Sequence, residues 1–239
     1  MTEAREADRQ VVEGRPGAIA RTWLMRIVLA VGILFLADTI LVTGQPYLFF
    51  DIPVERAVQS FNWGPLVYLM DLTNWTAGIY QTLLGLVVCV LMFVFDRRAG
   101  WLMLVGSVAS LLDQVLKATV GRHRPTSDLV TIFNPAIGNS YPSGHAVFFT
   151  WLAFMLAAAL SPRLHPWLRG VVWALAGLLI ITACLGRVWA GVHWPSDVLG
   201  GFLLGLGWSA FVLWLPERYL PSPDKVWSRW RDRGKPVAA

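Results

Sequence analysis

The sequence has few charged residues and few cysteines, and both shortages limit what the protein can be. Only 15% of its 239 residues are charged, whereas 56% are hydrophobic and the mean hydropathy is +0.54. A soluble domain carries about a quarter charged residues, so this composition excludes an ordinary soluble fold. The two cysteines, Cys89 and Cys184, lie in apolar runs and in no CxxC or CxxxH pattern. This placement argues against a disulfide framework and against a zinc site.

Long apolar runs take the place of the missing charge. Six of them come close to the ~20 residues that a helix needs to cross a bilayer. They lie near residues 22–42, 77–95, 100–120, 144–160, 168–185 and 196–215. The sequence therefore predicts an all-α, polytopic membrane protein in which six transmembrane helices form a single bundle.

The remaining segments complete this architecture. We expect residues 1–20 to form a polar cytoplasmic tail, residues 21–216 the six-helix membrane domain and residues 217–239 a basic cytoplasmic tail. Residues 45–75, between the first two spans, mix polar and apolar side chains and include tryptophans that can anchor in lipid headgroups. This pattern favours a short extracytoplasmic helix at the membrane interface, with a structured loop as the alternative.

Lysine and arginine are distributed unevenly along the chain. If both termini lie in the cytoplasm, most of the 20 basic residues flank cytoplasmic span ends, as the positive-inside rule requires. The same distribution accounts for the net charge of +5 without a nucleic-acid partner. The basic residues left on the outer side are Arg56, Lys117, Arg122, Arg124 and Arg187.

Most of these outer cations lie within three short polar runs. The runs are Lys117-x6-Arg124-Pro125, Pro142-Ser143-Gly144-His145 and Arg187-x5-His193-x3-Asp197. Each lies at the outer end of a predicted span, so residues far apart in sequence can meet at one membrane surface. Lysine and arginine are suited to bind phosphate there. Ser143 is a good N-cap for the fourth span, and the free N–H groups of that helix start favour a bound anion.

Two histidines add chemistry to this cluster. His193 and Asp197 are four residues apart, so the carboxylate can reach the histidine ring around one helical turn. A carboxylate on one ring nitrogen fixes the tautomer and leaves the other nitrogen free to attack. His145 belongs to another run and is suited to protonate a leaving oxygen as a general acid. Phosphoryl transfer through a histidine is the chemistry that this set of residues predicts.

The three runs resemble the signature of the type-2 phosphatidic acid phosphatase superfamily, the lipid phosphate phosphatases, which is K-x6-R-P, P-S-G-H and S-R-x5-H-x3-D. The stretch from Val192 to Gly201 resembles bacterial members in particular. The resemblance implies a phosphohistidine mechanism that needs no metal and no other cofactor. It implies that His193 is the nucleophile, Asp197 its orienting partner and His145 the acid and base. The phosphate-binding residues that it implies are Lys117, Arg124, Ser143, Gly144 and Arg187.

One position departs from that signature. Gly186 stands where the family usually has the serine that precedes the arginine of the third run. A hydroxyl donor is lost at this position, while the charged groups and both histidines remain. We therefore expect reduced or altered phosphate binding and not inactivity.

Three further residues are candidate accessory residues. Asp113 precedes Lys117 by four residues on the same helix face, so we expect the two simply to pair, with a role of Asp113 in tuning the site as the alternative. His123 and Arg122 lie beside Arg124, within reach of a bound phosphate or headgroup. Exposure in the loop is the more ordinary state for both, and we expect it here.

These observations predict an integral membrane lipid phosphatase of the cell membrane, with its site on the extracytoplasmic face. Its partners would be membrane lipids and a lipid phosphate, with no nucleic acid and no metal. Polyprenyl diphosphate, phosphatidic acid and phosphatidylglycerol phosphate are the candidate substrates. One alternative is a phosphotransferase that passes the phosphoryl group to a lipid or sugar. Another is an anion-binding transporter, which needs a polar path that the apolar cytoplasmic halves of the spans do not offer.

Overall fold

The computed structural model describes residues 16–215, with side chains from residue 22 onward. The basic tail predicted for residues 217–239 and most of the N-terminal tail lie outside the described residues. The helices of the described part are α1 (Pro16–Val42), α2 (Asp51–Ser60), α3 (Leu66–Trp75), α4 (Ile79–Phe95), α5 (Arg97–Gly106), α6 (Val108–Val120), α7 (Gly144–Leu160), α8 (Pro166–Trp189) and α9 (Pro195–Trp214), with a 3₁₀ turn at Ser161–Arg163.

The predicted membrane spans correspond to long helices. Within residues 16–215, five segments are long and apolar enough to cross a bilayer, namely α1, the adjacent pair α5 and α6 taken together, α7, α8 and α9. A sixth forms if α3 and α4 are taken together, although these two helices meet at 91°. The all-α membrane fold is confirmed, and no strand occurs between residues 16 and 215. The third span differs in detail, because it is interrupted at Ser107, where α5 ends and α6 begins.

The outer surface of the bundle is apolar. Ile33 and Ile40 on α1 are 67% and 74% exposed, and Val94 and Phe95 on α4 are 77% and 78% exposed. A soluble protein does not leave bands of large aliphatic side chains in water. In a bilayer these side chains contact lipid tails, so the perimeter of the bundle is a lipid-facing surface.

Helix α7 is the centre of the bundle and packs against α5, α6, α8 and α9. Its side chains Trp151 and Met155 are fully buried, as is Met103 of α5. The indole N–H of Trp151 donates to Ser110 Oγ of α6 at 2.9 Å, so this large side chain is buried without an unpaired donor. The ends of α7 are thereby fixed relative to every helix that carries one of the three polar runs.

Helices α7 and α9 approach each other closely because α9 carries glycines at the contact. A Cβ atom on Gly201 would lie 2.5 Å from the carbonyl oxygen of Ser143, and one on Gly205 would lie 2.8 Å from that of Val147. Small residues at helix interfaces let backbones come together in membranes. This contact places the start of α9, with Asp197, directly beside the start of α7.

Helix α1 faces lipid along most of its length but is attached to the bundle by a polar contact. Asp38 is 6% exposed, and its Oδ2 accepts a 3.0 Å hydrogen bond from the hydroxyl of Tyr141. Gly200 of α9 leaves room for this pair, since a Cβ there would lie 2.6 Å from the Tyr141 hydroxyl. The segment that leads into α7 is thus held between α1 and α9.

The short helix expected between the first two spans is present as α2. It packs against α8 and α9, and its acidic residues Asp51 and Glu55 are fully buried. The segment that follows forms a second short helix, α3, which packs against α8. Neither helix is a loose surface element, because both contact the end of the bundle at which α8 ends and α9 begins.

We predict that Gly201→Ala destabilises the protein. The added methyl group would meet the Ser143 carbonyl, a backbone atom that cannot rotate away, and overpacking of this kind costs about 1–3 kcal/mol. The midpoint of thermal unfolding in detergent is therefore expected to fall. Gly177→Ala on α8 is the matched control, because a Cβ there meets no atom within 4 Å. Equal effects of the two substitutions would contradict the proposed packing.

Candidate active site

The three polar runs meet at one end of the bundle. The first and third runs touch where the Arg124 Nη1 group donates to His193 Nε2 at 3.1 Å. The second and third touch where the Ser143 backbone N–H donates to the Asp197 carbonyl oxygen at 2.9 Å. Lys117 closes the set, since its Nζ lies 3.0 Å from the position that a Cβ of Gly144 would occupy. Helix ends that are distant in sequence therefore form one site.

Lys117 is paired with Asp113, as the sequence predicts. Its Nζ donates to Asp113 Oδ1 at 2.6 Å, and Asp113 is 2% exposed. The second carboxylate oxygen accepts from Gln114 at 2.9 Å and would lie 2.9 Å from a Cβ of Gly144. A side chain at position 144 would therefore push the lysine and its carboxylate away from the start of α7.

Arg124 is held by backbone carbonyls. Its Nε donates to Gly138 at 3.0 Å and its Nη1 to Val192 at 2.6 Å. The same Nη1 group contacts His193 Nε2. Because arginine can only donate, Nε2 must be the acceptor, so the ring proton of neutral His193 is on Nδ1. Nε2 carries the lone pair that a nucleophile needs, and it faces a cation.

The surroundings of His193 favour its neutral form. The side chain is 2% exposed. Burial lowers the pKa of His193 well below its usual value, and the positive charges of Arg187, Arg124 and Lys117 lower the pKa further. A hydrogen bond with the backbone of Ser140 acts in the opposite direction. At neutral pH the ring is therefore unprotonated and surrounded by cations.

The contact between Asp197 and His193 includes a serine that the sequence analysis did not identify. Asp197 Oδ2 lies 3.8 Å from His193 Nδ1, too far for a hydrogen bond. Ser140 lies between them, because its hydroxyl donates to Asp197 Oδ2 and its Oγ is 3.4 Å from Nδ1. The carboxylate therefore orients the ring largely through Ser140. Ser140 belongs to none of the three runs, and nothing in its local sequence marks it.

The expectation that Arg122 is an exposed loop residue is wrong. The residue is 4% exposed, and its Nη1 donates to Asp197 Oδ1 at 2.6 Å. Its Nη2 donates to Asp51 Oδ2 of α2 at 2.8 Å. Arg122 is buried because two buried carboxylates need a cation between them. His123 is exposed, as expected, and its carbonyl accepts a 3.2 Å hydrogen bond from the Trp194 indole.

Several buried polar atoms around the histidines have no hydrogen-bond partner among the described residues. These are Ser143 Oγ, His145 Nε2 and Arg187 Nε. Ser143 occupies the N-cap position of α7, but its side chain makes no capping bond, contrary to the sequence prediction. Buried polar atoms are normally paired. Two donors and a histidine nitrogen are thus available to a ligand beside the nucleophile candidate.

The model of the PAP2 superfamily matches residues 98–220, a stretch that contains all three runs. The chain belongs to the PAP2 superfamily. The match begins in α5, so it covers the helices that carry the runs but not α1 to α4.

Individual PAP2 relatives extend this likeness. Phosphatidylglycerophosphatase B of Bacillus subtilis is 34% identical over 139 residues, which are 54% of this chain and 65% of that protein. The undecaprenyl-diphosphatase of Sulfolobus acidocaldarius is 27% identical over 178 residues, which are 72% of this chain and 81% of that protein. The matched stretch thus spans just under two thirds of the first relative and more of the second.

A solved PAP2 structure shows the same fold. The transmembrane phosphatidylglycerolphosphate phosphatase from Bacillus subtilis superimposes with a TM-score of 0.65 at 24% identity. The superposition covers 88% of this chain and 98% of that one. It includes helices that precede the family match, so the PAP2 fold extends over most of this chain.

We predict that Arg122→Met destabilises this PAP2 protein strongly. The substitution leaves Asp51 and Asp197 buried without their cation, and breaking a buried pair in this way costs about 3–5 kcal/mol. Thermal unfolding in detergent measures the loss. Arg56→Met is the matched control, because the Arg56 side chain is exposed and donates to the Leu129 carbonyl. If both variants unfold at the same temperature, the ion pairs of Arg122 with Asp51 and Asp197 do not stabilise the protein to the expected extent.

Proposed function

We propose that the protein is an integral membrane phosphatase that hydrolyses a lipid phosphate monoester or diphosphate through a phosphohistidine intermediate, without a metal ion. One observation carries the proposal. The buried atoms Ser143 Oγ, His145 Nε2 and Arg187 Nε have no hydrogen-bond partner among residues 22–215, and they belong to the same site as the buried His193. A tetrahedral phosphate offers oxygens to the donors of this set and a phosphorus atom to the histidine.

Substrate binding rests on the surplus of cations. Arg124 and Arg187 can each donate to phosphate oxygens, and Lys117 adds a point charge. Ser143 Oγ and the free backbone N–H groups at the start of α7 add neutral donors, where the helix dipole also favours an anion. These groups also neutralise the charge that develops on the equatorial oxygens during phosphoryl transfer.

The reaction follows from the tautomer of His193. Its Nε2 lone pair attacks phosphorus, and the bond between phosphorus and the lipid oxygen breaks. His145 donates a proton to that leaving oxygen. The positive charge on the resulting phosphohistidine ring is stabilised at Nδ1–H by Ser140 and, through it, by Asp197. A water molecule then attacks phosphorus while His145 takes its proton, which releases inorganic phosphate and restores His193.

The lipid nature of the substrate is supported by the position of the site. The polar runs lie at the end of a bundle whose perimeter faces lipid, so a headgroup at the membrane surface can enter while its tails stay in the bilayer. The relatives are named for phosphatidylglycerophosphate and undecaprenyl diphosphate. Polyprenyl diphosphate, phosphatidic acid and phosphatidylglycerol phosphate remain the candidate substrates. The distribution of lysine and arginine supports cytoplasmic termini and an extracytoplasmic site.

The transporter alternative finds little support. Beyond the site, α7 continues with the buried side chains Phe148, Phe149, Trp151 and Leu152. These fill the centre of the bundle along the path that an anion would have to take. Phosphotransfer to an acceptor lipid or sugar uses the same intermediate, and the products of the assay below distinguish it from hydrolysis.

We predict that the purified protein releases phosphate from lipid phosphates in detergent with EDTA present, and that His193→Ala abolishes this release. Loss of the nucleophile removes the covalent route altogether. His165→Ala is the matched control, because His165 is exposed, lies at the opposite end of α8 from Arg187, and should leave the rate unchanged when removed. Activity that persists in His193→Ala contradicts the nucleophile assignment. Release that requires a divalent metal contradicts the mechanism.

We predict that the acidic limb of the kcat/KM profile lies below pH 6.5. The pKa of His193 is lowered in the free enzyme, so the ring stays unprotonated and able to attack down to a pH below its ordinary pKa of about 6.5. The profile is measured for two substrates whose phosphate groups have different pKa values, and the comparison shows whether the acidic limb arises from the enzyme or from the substrate. A limb that is shared by both substrates belongs to the enzyme. If that shared limb lies at or above pH 6.5, the lowered pKa of His193 is wrong.

A further inference from the structure

We infer that Asn74 of α3 is a positioning residue that holds the Arg187 guanidinium in place for the phosphate. The inference rests on the proposed function, because it concerns the same anion site. Asn74 lies outside the three runs and outside the residues matched by the family model. It reaches the site from the short helix that covers one end of the bundle.

The contact is direct and buried. Asn74 is 7% exposed, and its Oδ1 accepts a 2.8 Å hydrogen bond from Arg187 Nη1. Its Nδ2 donates to the Gly186 carbonyl at 3.2 Å. Arginine only donates and a carbonyl only accepts, so both neighbours require the same orientation of the amide. One side chain therefore binds both the guanidinium and the backbone that carries it.

The glycine at position 186 permits this contact. A Cβ on Gly186 would lie 3.2 Å from Met70 Cβ and 3.3 Å from the backbone Cα and carbonyl oxygen of Met70. Met70 is one helical turn before Asn74 on α3, so α3 packs directly on the α8 backbone at this point. A serine there would force α3 outward by a few tenths of an ångström. The departure from the family signature and the position of Asn74 are parts of one arrangement.

Asn74 acts on the phosphate site through the geometry of arginine. The guanidinium is planar and rigid, so fixing Nη1 restricts the directions in which the other donors can point. Arg187 Nε is buried and has no partner among the described residues. Long side chains lose rotamer freedom when they bind a ligand. An arginine that is already held by Asn74 loses less of this freedom when an anion arrives.

The test compares anion affinity in variants of the full-length protein in detergent. Asn74→Leu keeps a side chain of similar size but removes the acceptor for Arg187. We expect the inhibition constant for orthovanadate, a phosphate mimic, to rise about tenfold, as for loss of a hydrogen bond to a charged group. Thr73→Val is the matched control. Thr73 is buried on the same helix, but its hydroxyl donates to the Met70 carbonyl and not to Arg187.

A purely structural role of Asn74 gives a different result. It would lower kcat through a smaller active fraction and leave the orthovanadate constant unchanged, which would overturn the inference. The effect must also depend on the arginine. In an Arg187→Lys background, Asn74→Leu should change the constant by no more than about twofold, because the contact is already lost. A full tenfold effect in that background overturns the inference as well.

A second substitution covers the case in which Asn74→Leu does not fold. Gly186→Ala pushes on Met70 and moves α3, so it should also raise the orthovanadate constant, and an unchanged constant overturns the inference. Calorimetric titration of the wild-type protein with inorganic phosphate separates this inference from the proposed function. Wild-type protein that neither binds phosphate nor hydrolyses lipid phosphates overturns both. Active wild-type protein with unaltered affinity in the Asn74 and Gly186 variants overturns the inference alone.

Discussion

The guanidinium of Arg122 is the interaction on which the site depends. It binds Asp197 Oδ1 at 2.6 Å and Asp51 Oδ2 at 2.8 Å, and all three side chains are buried. One cation thereby joins the loop after α6, the start of α9 and the interfacial helix α2. Asp197 in turn holds Ser140, and Ser140 contacts the nucleophile candidate His193. Arg122 therefore lies three contacts away from the His193 ring, and the orientation of that ring depends on a residue that does not touch it.

The distribution of partners leaves positive charge without a paired carboxylate at this end of the bundle. Three of the acidic side chains are paired with cations, since Asp113 pairs with Lys117 and both Asp51 and Asp197 pair with Arg122. Among the described residues, no carboxylate lies within ion-pair distance of Arg124 or Arg187. These two arginines are held by carbonyl and amide oxygens, which fix their geometry and leave their charge uncompensated. A bound phosphate group would supply the missing negative charge.

The sequence predicted the parts of this structure that depend on local pattern. Runs of apolar residues marked α7, α8 and α9, because a span of about 20 such residues has few other stable states in a bilayer. Basic residues at span ends marked the site, since burying charge there is costly without a function. The pairing of Asp113 with Lys117 followed from helix spacing alone.

The parts that escaped prediction depend on contacts between distant segments. Arg122 meets Asp51 across 71 positions, and Asn74 meets Arg187 across 113. No local pattern distinguishes a loop arginine that finds two buried carboxylates from one that faces water. The break between α3 and α4 agrees with the predicted boundary between the interfacial segment and the second span, but its angle of 91° was not predicted. The packing of α3 on α8, which leaves little room for a side chain at Gly186, is likewise recorded by no apolar periodicity.

Glu55 shows how closely the charges of the site must be balanced. It lies on α2 one turn after Asp51, is fully buried, and neither carboxyl oxygen has a partner among the described residues. Burial, together with the negative charges of Asp51 and Asp197, raises the pKa of Glu55 to about 9. The group is therefore neutral at pH 7, and Arg122 is shared by two carboxylates and not by three. Because the folded-state pKa exceeds the usual value of 4.5, the contribution of Glu55 to stability is greatest at low pH. It is lost as the pH rises towards 9, when a third charge would compete for the cation that holds Asp197 in place.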